Sequence, residues 1–275
     1  MRDRRGRFRV GGRVRVAGRI KLLGVAAVIL ACSACAAQVD RFTVRRVVAR
    51  GLRVPDVPKA CALGSSLAHP LAALASEHRP PHQALVIAEL TGATCGESAA
   101  WEAELAEARA RRIFGALGDD RAAAMLDAKL TAQRAHAAAA DRFWRAFGHL
   151  EAEYGTVGEA CPRLSDRDEL VYVVGLVAGM LAVLNDKAGN SAVGVPLDVL
   201  AKVARGAACV PDDRWWHVPG ALQAASWATI PGSAPAGADP WQLLADHASA
   251  GEQSGVRVAR ALQVLIAANV DRRDL

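Results

Sequence analysis

Cysteine is the residue type with the clearest chemistry in this sequence, which has six of them. Cys32 and Cys35 follow a short apolar run and stand among small residues, where a thiol is a candidate for acylation after export. The others are spread along the rest of the chain, at Cys61, Cys95, Cys161 and Cys209. In an oxidising compartment such thiols tend to form disulfides rather than to act as nucleophiles.

The histidines give no catalytic or metal-binding pattern. The seven histidines are scattered, and the sequence has no GxSxG, HExxH, phosphate-binding loop or dinucleotide-binding glycine pattern. His78 and His82 are four residues apart, but Pro80 and Pro81 between them break the helix that a metal-binding face would need. CxxC spacing is confined to the region of Cys32, and zinc-finger spacing is absent. The sequence therefore predicts no enzyme, no bound metal and no cofactor.

The most unusual cluster has the sequence DDRWWH, runs from Asp212 to His217 and holds two adjacent tryptophans. Trp215 and Trp216 cannot both face the same side of a helix, so one can pack inside while the other lines a groove or an interface. A tryptophan at the surface often marks a binding site. We therefore expect Trp215, Trp216 and His217 to bind a ligand or a partner. The alternative is that both indoles fill gaps between helical hairpins.

The N-terminal residues have the three zones of an export signal. Residues 1–21 contain nine Arg or Lys and one acid, residues 22–31 are apolar, and small residues surround Cys32. The apolar run is far shorter than the roughly 20 residues that a spanning helix needs. Ile29-Leu30-Ala31-Cys32 resembles the lipobox of bacterial lipoproteins, whose cysteine is acylated and becomes the first mature residue. We predict a signal peptide over 1–31 and a lipid anchor with its tether over 32–57.

Two alternatives stay open at this end of the chain. Cys32-Ser33-Ala34-Cys35 fits the last places of a lipobox, so Cys35 is the second candidate for acylation. Parity favours Cys35, because acylation of Cys32 leaves Cys35 without a disulfide partner. The other alternative is an ordinary signal peptide that leads to no lipid modification.

The charge balance changes once the signal is removed. The whole sequence has 34 basic and 28 acidic residues, a net charge of +6. Without the nine basic residues and single acid of residues 1–21, 25 basic and 27 acidic residues remain, a net charge of −2. The mature chain therefore lacks the basic excess typical of nucleic-acid binding. A basic patch between Arg41 and Arg53 either lies against anionic lipid head groups or forms a solvated tether.

Helical patterns separated by Pro, Gly and Asp fill the rest of the chain. The predicted helices span about 59–78, 81–92, 97–117, 119–153, 166–185, 194–207, 212–228, 239–249 and 254–270. The sequence has no strong strand pattern, so we predict that residues 58–275 form an all-α domain of stacked antiparallel helical hairpins. We predict that the most apolar helix, 166–185, is the buried central helix of this domain. Its Gly175 and Gly179 lie one turn apart, and we expect them to let the helix of the two tryptophans approach.

The four cysteines beyond the anchor allow three pairings. We favour Cys61–Cys95 and Cys161–Cys209, because each pair closes a loop about as long as one helical hairpin.

The stretch from Leu170 to Pro231 resembles the T component associated with TRAP transporters. Those proteins are lipoproteins built of tetratricopeptide-like helical hairpins. The matching positions are an aromatic–glycine helix, an acidic turn, and an aromatic–Gly–Ala helix that ends in a proline. In this sequence they are Tyr172, Gly175, Gly179, Asp212, Asp213, Trp216, Gly220, Ala221 and Pro231. The segment that begins at Cys61 and ends at Cys95 is similar to the first hairpin of that family.

The resemblance implies an envelope lipoprotein, with the outer membrane favoured, that works with a periplasmic solute-binding protein and a membrane transporter. It implies a concave or pore-like helical assembly that binds small organic or hydrophobic ligands at a site that includes Tyr172, and no catalysis. We also expect a homo-oligomer as one arrangement of the chain. The alternative is a helical scaffold that holds other envelope proteins and has no small-molecule ligand. An enzyme with an unrecognised site is the third hypothesis.

Overall fold

The fold is all-α. A computed structural model describes residues 56–73, 80–114 and 120–272, and within these ranges it contains helices and no strand. The helices are α1 (Val57–Ala73), α2 (His82–Phe114), α3 (Asp120–Tyr154), α4 (Asp166–Ala188), α5 (Asp198–Ala207), α6 (Val218–Thr229), α7 (Pro240–Gln253) and α8 (Val258–Asn269), with a 3₁₀ turn at Asp213–Trp215. The predicted fold class is confirmed. The predicted signal peptide, the tether as far as residue 55, Cys32 and Cys35 lie outside the described residues.

Consecutive helices pack against each other along the whole described chain. Contacts also join α2 to α4, α4 to α6 and α6 to α8, so each of these even-numbered helices also contacts the next even-numbered helix. The first three helix pairs are antiparallel, because a later residue of one helix contacts an earlier residue of the next. The contacts are Cys61–Cys95 and Gly64–Thr91 for α1 and α2, Gly92–Arg142 and Gly96–Ala139 for α2 and α3, and Leu150–Gly175 and Phe147–Gly179 for α3 and α4. This order is compatible with stacked hairpins, and the tetratricopeptide-like stacking itself stays a prediction.

Helix α4 is the centre of the fold. The Ser165 backbone N–H donates to Asp168 Oδ2 at 3.1 Å, and this capping contact starts the helix as its sequence predicts. Among the described helices α4 alone is long and apolar enough to cross a membrane, but 67% of that apolar window is buried inside the protein. The burial supports the interpretation of α4 as a core helix.

The glycines of α4 contact a different helix from the one that the sequence analysis expected. A Cβ atom on Gly175 would overlap Leu150, and one on Gly179 would overlap the Phe147 ring. Both contacted residues belong to α3, so the close approach serves the α3–α4 pair and not the helix that follows the tryptophans. The expectation was wrong because glycine spacing marks a close contact without specifying the partner.

Helix α2 corrects a second prediction, which divided it into helices over 81–92 and 97–117. Helix α2 continues through Gly92 without a break. This glycine lies where α1 crosses α2, and a Cβ atom there would be 3.2 Å from the Ser65 backbone nitrogen. Gly64 of α1 faces Thr91 in the same way. The pair of small residues allows close packing, and the Cys61–Cys95 disulfide holds the two helices one turn further along.

The hairpin of α2 and α3 extends beyond the end of α4. Gly189, just after α4, lies against the backbone of Ala137 in α3. Residues 101–112 of α2 and 122–134 of α3 lie further toward the tip, and most of them are exposed. We call residues 98–114 and 120–134 the α2–α3 arm. At about 1.5 Å per residue, its α2 side is about 25 Å long.

Candidate functional site

The candidate site is built on residues 212–217, between α5 and α6, which we call the tryptophan turn. The 3₁₀ turn Asp213–Trp215 is followed by two residues in the left-handed region, Trp216 with φ 55° and His217 with φ 60°. Residues with side chains rarely adopt this conformation, and such positions persist where surrounding contacts impose them. Two in succession reverse the chain, and α6 then starts at Val218 with a proline in its first turn.

Asp212 supplies the contacts that hold this turn. Its Oδ1 accepts a hydrogen bond from the Gly220 backbone N–H at 2.6 Å, in the first turn of α6. Its Oδ2 lies 2.7 Å from His217 Nδ1, and its backbone oxygen accepts from the His217 N–H at 3.0 Å. Burial acts to raise the pKa of the Asp212 carboxyl, but hydrogen bonds from His247, Gly220 and His217 together lower it to about 2. Asp212 is therefore an ionised cap for α6.

His247 reaches the same carboxylate from α7. Its Nδ1 lies 3.2 Å from Asp212 Oδ2, and its ring rests on Gly220, where a Cβ atom would overlap the imidazole. The two imidazole centroids, of His217 and His247, are 6.1 Å apart. Asp212, His217 and His247 each offer a ligand atom within 4.8 Å of the others. All three side chains are partly buried, with 26 to 32% of their surface exposed.

The two tryptophans have different environments. Trp215 packs against the main core, and its Nε1–H donates to Glu169 Oε2 of α4 at 2.8 Å. Arg214 donates to the same Glu169 oxygen at 3.0 Å and to Asp166 at 3.0 Å. Trp216 is 38% exposed, with its ring set edge-on to the Trp215 ring. The expected division into one packed and one exposed tryptophan is what the structure shows, and a binding role stays a prediction.

Tyr172 does not belong to this exposed surface. It is 1% exposed, it packs edge-on against Tyr154, and its hydroxyl oxygen has no hydrogen-bond partner among the residues that the structure describes. Burial, with a smaller effect from Glu151, raises the pKa of Tyr172 to about 12. The structure therefore places this predicted site residue in the core beside Gly206, where it contributes packing rather than contact with a partner.

Both predicted cysteine pairs lie at disulfide distance. The Cα atoms of Cys61 and Cys95 are 5.3 Å apart, and those of Cys161 and Cys209 are also 5.3 Å apart. The second pair joins the loop before α4 to the end of α5. Because Cys209 comes shortly before Asp212, this disulfide fixes the chain that enters the tryptophan turn.

A buried polar network at α2, α3 and α4 was not predicted from the sequence. His136 Nδ1 lies 2.8 Å from Asn185 Oδ1, and Asn185 Nδ2 donates to Glu97 Oε1 at 3.1 Å. Burial raises the pKa of Glu97, although the Asn185 hydrogen bond and His136 oppose it. Burial lowers the pKa of His136, but hydrogen bonds to Glu104 and Asn185 give a net rise. These contacts pair the polar groups that lie between the helices and specify their register.

Sequence reasoning also missed His247, because nothing in its neighbourhood marks it. It stands in α7, and only the packing of α7 on α6 brings its ring to Asp212. Metal ligands are recognisable in a sequence when they stand close together in the chain, and of these three only Asp212 and His217 do. Gly220 could have indicated this contact, because a glycine in the first turn of a helix leaves room for the ring of a neighbouring residue.

The comparisons with known proteins give no relative. No protein-family model matches the chain. No curated protein matches it. No solved structure matches it. The resemblance to the T component of TRAP transporters stays a prediction from the sequence.

Proposed function

We propose that this chain is an exported, lipid-anchored helical protein that binds a partner in the cell envelope through the surface around Trp216. The supporting observation is the exposed indole of Trp216, which stands on left-handed backbone that few residues adopt. Tryptophan is enriched at binding hot spots. Backbone in sparsely populated regions clusters at functional sites, and here it carries a partly exposed indole.

The turn that presents Trp216 is rigidly supported. Glu169 binds both Trp215 and Arg214, Asp212 caps α6, and the disulfide at Cys209 fixes the preceding residues. A preorganised anchor loses little conformational entropy on binding, which favours affinity. These supports are compatible with a binding surface formed before the partner arrives.

The proposed location of the protein rests on the sequence pattern of its N-terminal residues. We propose acylation at Cys32, with Cys35 as the second candidate, on the periplasmic face of a membrane and preferably the outer membrane. The two cysteine pairs at disulfide distance support an oxidising compartment. Labelling cells with a tagged fatty acid and sequencing the mature N-terminus tests this, and a soluble product cut at another site contradicts it.

The partner class rests on the sequence resemblance alone. It favours a periplasmic solute-binding protein of a TRAP transporter, with this chain as an accessory component that performs no catalysis. The test measures binding of the full chain to the TRAP solute-binding proteins of its own organism, by biolayer interferometry. We expect Trp216→Ala to weaken this binding at least tenfold and Trp101→Ala to leave it unchanged. No binding by the wild-type chain contradicts the transporter association.

The α2–α3 arm favours a second candidate, a scaffold for other envelope proteins. Its exposed apolar side chains include Trp101 and Leu105 on α2 and Leu126 and Leu130 on α3, each pair one turn apart. Such side chains on a projecting hairpin are typical of a contact surface. The same measurement separates the two surfaces, because loss of binding in Trp101→Ala, with Trp216→Ala unaffected, assigns the contact to the arm and contradicts the proposed role of Trp216.

A further inference from the structure

The convergence of Asp212, His217 and His247 has a chemical use that capping does not require. One carboxylate and two imidazoles form a donor set that divalent transition metals favour, and zinc sites with three protein ligands keep a fourth position for water or another ligand. We propose that these three residues bind a divalent transition-metal ion, for which Zn²⁺ is the probe. The inference goes beyond partner binding and does not depend on it.

The distances suit a zinc ion after a small adjustment. Bonds of about 2.0 to 2.1 Å to nitrogen and oxygen place tetrahedral ligand atoms about 3.3 Å apart. His247 Nδ1 is already 3.2 Å from Asp212 Oδ2. His217 Nδ1, at 2.7 Å from the same oxygen, must move outward by about half an ångström. The ligand atoms of His217 and His247, which lie within 4.8 Å of each other, must also reach a separation of about 3.3 Å.

The surroundings are arranged to bring these side chains together. His217 turns toward Asp212 because its backbone is left-handed, and His247 fits because Gly220 has no side chain. The three groups come from three separate elements: the start of the 3₁₀ turn, the N-terminus of α6, and the middle of α7. A simple cap needs only Asp212 and Gly220, so the capping role leaves both imidazoles unexplained.

The charges around the site favour a cation. Asp212 contributes a carboxylate, whose Oδ2 lies 2.7 Å from His217 Nδ1 and 3.2 Å from His247 Nδ1. Arg214, the cationic side chain of the turn, is bound to Asp166 and Glu169 of α4. Partial exposure of all three ligands leaves an entry route for the ion and for water at the fourth position. Protons compete with metal for the imidazole nitrogens, so binding should weaken in acid.

The test is a zinc titration of the full chain, purified in detergent and stripped with a chelator, followed by isothermal titration calorimetry. We expect one ion per chain. His247→Ala should weaken the affinity by about 100-fold or more, and so should His247→Gln, which can still donate a hydrogen bond to Asp212 but is a poor zinc ligand. The matched control His69→Ala, an exposed histidine of α1, should leave the affinity unchanged.

The variants also separate this inference from partner binding. Trp216→Ala should keep the zinc affinity within about threefold, because its side chain supplies no ligand atom. Circular dichroism and thermal unfolding must show that each variant is folded. No saturable zinc binding by the folded wild-type chain overturns the inference. Equal affinity in the wild type and both His247 variants also overturns it, since the ion then binds elsewhere. Tetrahedral Co²⁺ absorption that is lost in His217→Ala supports the proposed ligands.

Discussion

The indole N–H of Trp215 donates a hydrogen bond to Glu169 at 2.8 Å, and this contact joins the tryptophan turn to the first turn of the central helix. Arg214 binds the same carboxylate from the neighbouring position. With Trp215 held against α4 and the next residue in left-handed backbone, the Trp216 ring is directed outward. The orientation of the exposed Trp216 thus depends on the packing of Trp215, which is partly buried.

The two disulfides should each stabilise the fold by about 3 to 4 kcal/mol, through closure of loops with sequence separations of 34 and 48 residues. Replacing Cys61 and Cys95 by serine should also increase hydrogen exchange in α1, which the first disulfide holds on α2. Replacing Cys161 and Cys209 should increase exchange near the tryptophan turn instead. Urea unfolding measures the total cost for each pair. A cost below about 1 kcal/mol for both would contradict their structural role.

Glycine substitutions test the packing of α4 on α3. Gly179→Ala places a methyl group against the Phe147 ring, and the overlap should destabilise the fold by about 1 to 3 kcal/mol. The matched control is Gly148→Ala in α3, where a Cβ atom meets nothing within 4 Å. That variant should be more stable than the wild type by about 0.5 to 1 kcal/mol, because alanine favours the helix. Chemical denaturation of both gives the comparison, and equal effects would exclude close packing at Gly179.

The sequence predicted the features of the fold that depend on residues close together in the chain, and it missed those that depend on tertiary packing. The start of α4 was predictable because Ser165 and Asp168 cap it locally. The disulfide pairs were predictable because each closes one hairpin. Gly92 misled because the sequence cannot distinguish a helix-ending glycine from one under a crossing helix. The approach of His247 to Asp212 depends on the tertiary packing of α6 and α7, which leaves no periodic pattern.

The low pKa of Asp212 predicts a specific loss of stability in acid. Its folded value of about 2 lies below the unfolded value of 3.8, so its contribution is present above pH 4 and is lost as the pH falls toward 2. After a discount for solvent exposure, this contribution is about 1 to 2 kcal/mol. Asp212→Asn should therefore be less stable than the wild type at pH 7, with the difference shrinking toward pH 2. Thermal unfolding at several pH values measures it, and a constant difference from pH 7 to 2 would assign the effect to another cause.

The two tryptophans should separate folding from binding. Trp215→Ala removes a packed ring and leaves Glu169 without its indole donor, so it should cost about 3 kcal/mol in the free energy of unfolding. Trp216→Ala removes a ring that is already 38% exposed, and its cost should be smaller, about 1 to 2 kcal/mol. If Trp216 is a binding anchor, its variant folds normally and loses partner affinity. Trp215→Phe is the control for the indole N–H, because it keeps an aromatic ring against the core and should cost about 1 kcal/mol through the lost hydrogen bond to Glu169, which Arg214 still binds. Should both alanine variants only unfold, with no separable loss of binding, the tryptophan turn is structural. The exposed side chains of the α2–α3 arm then become the surface on which a partner should be sought.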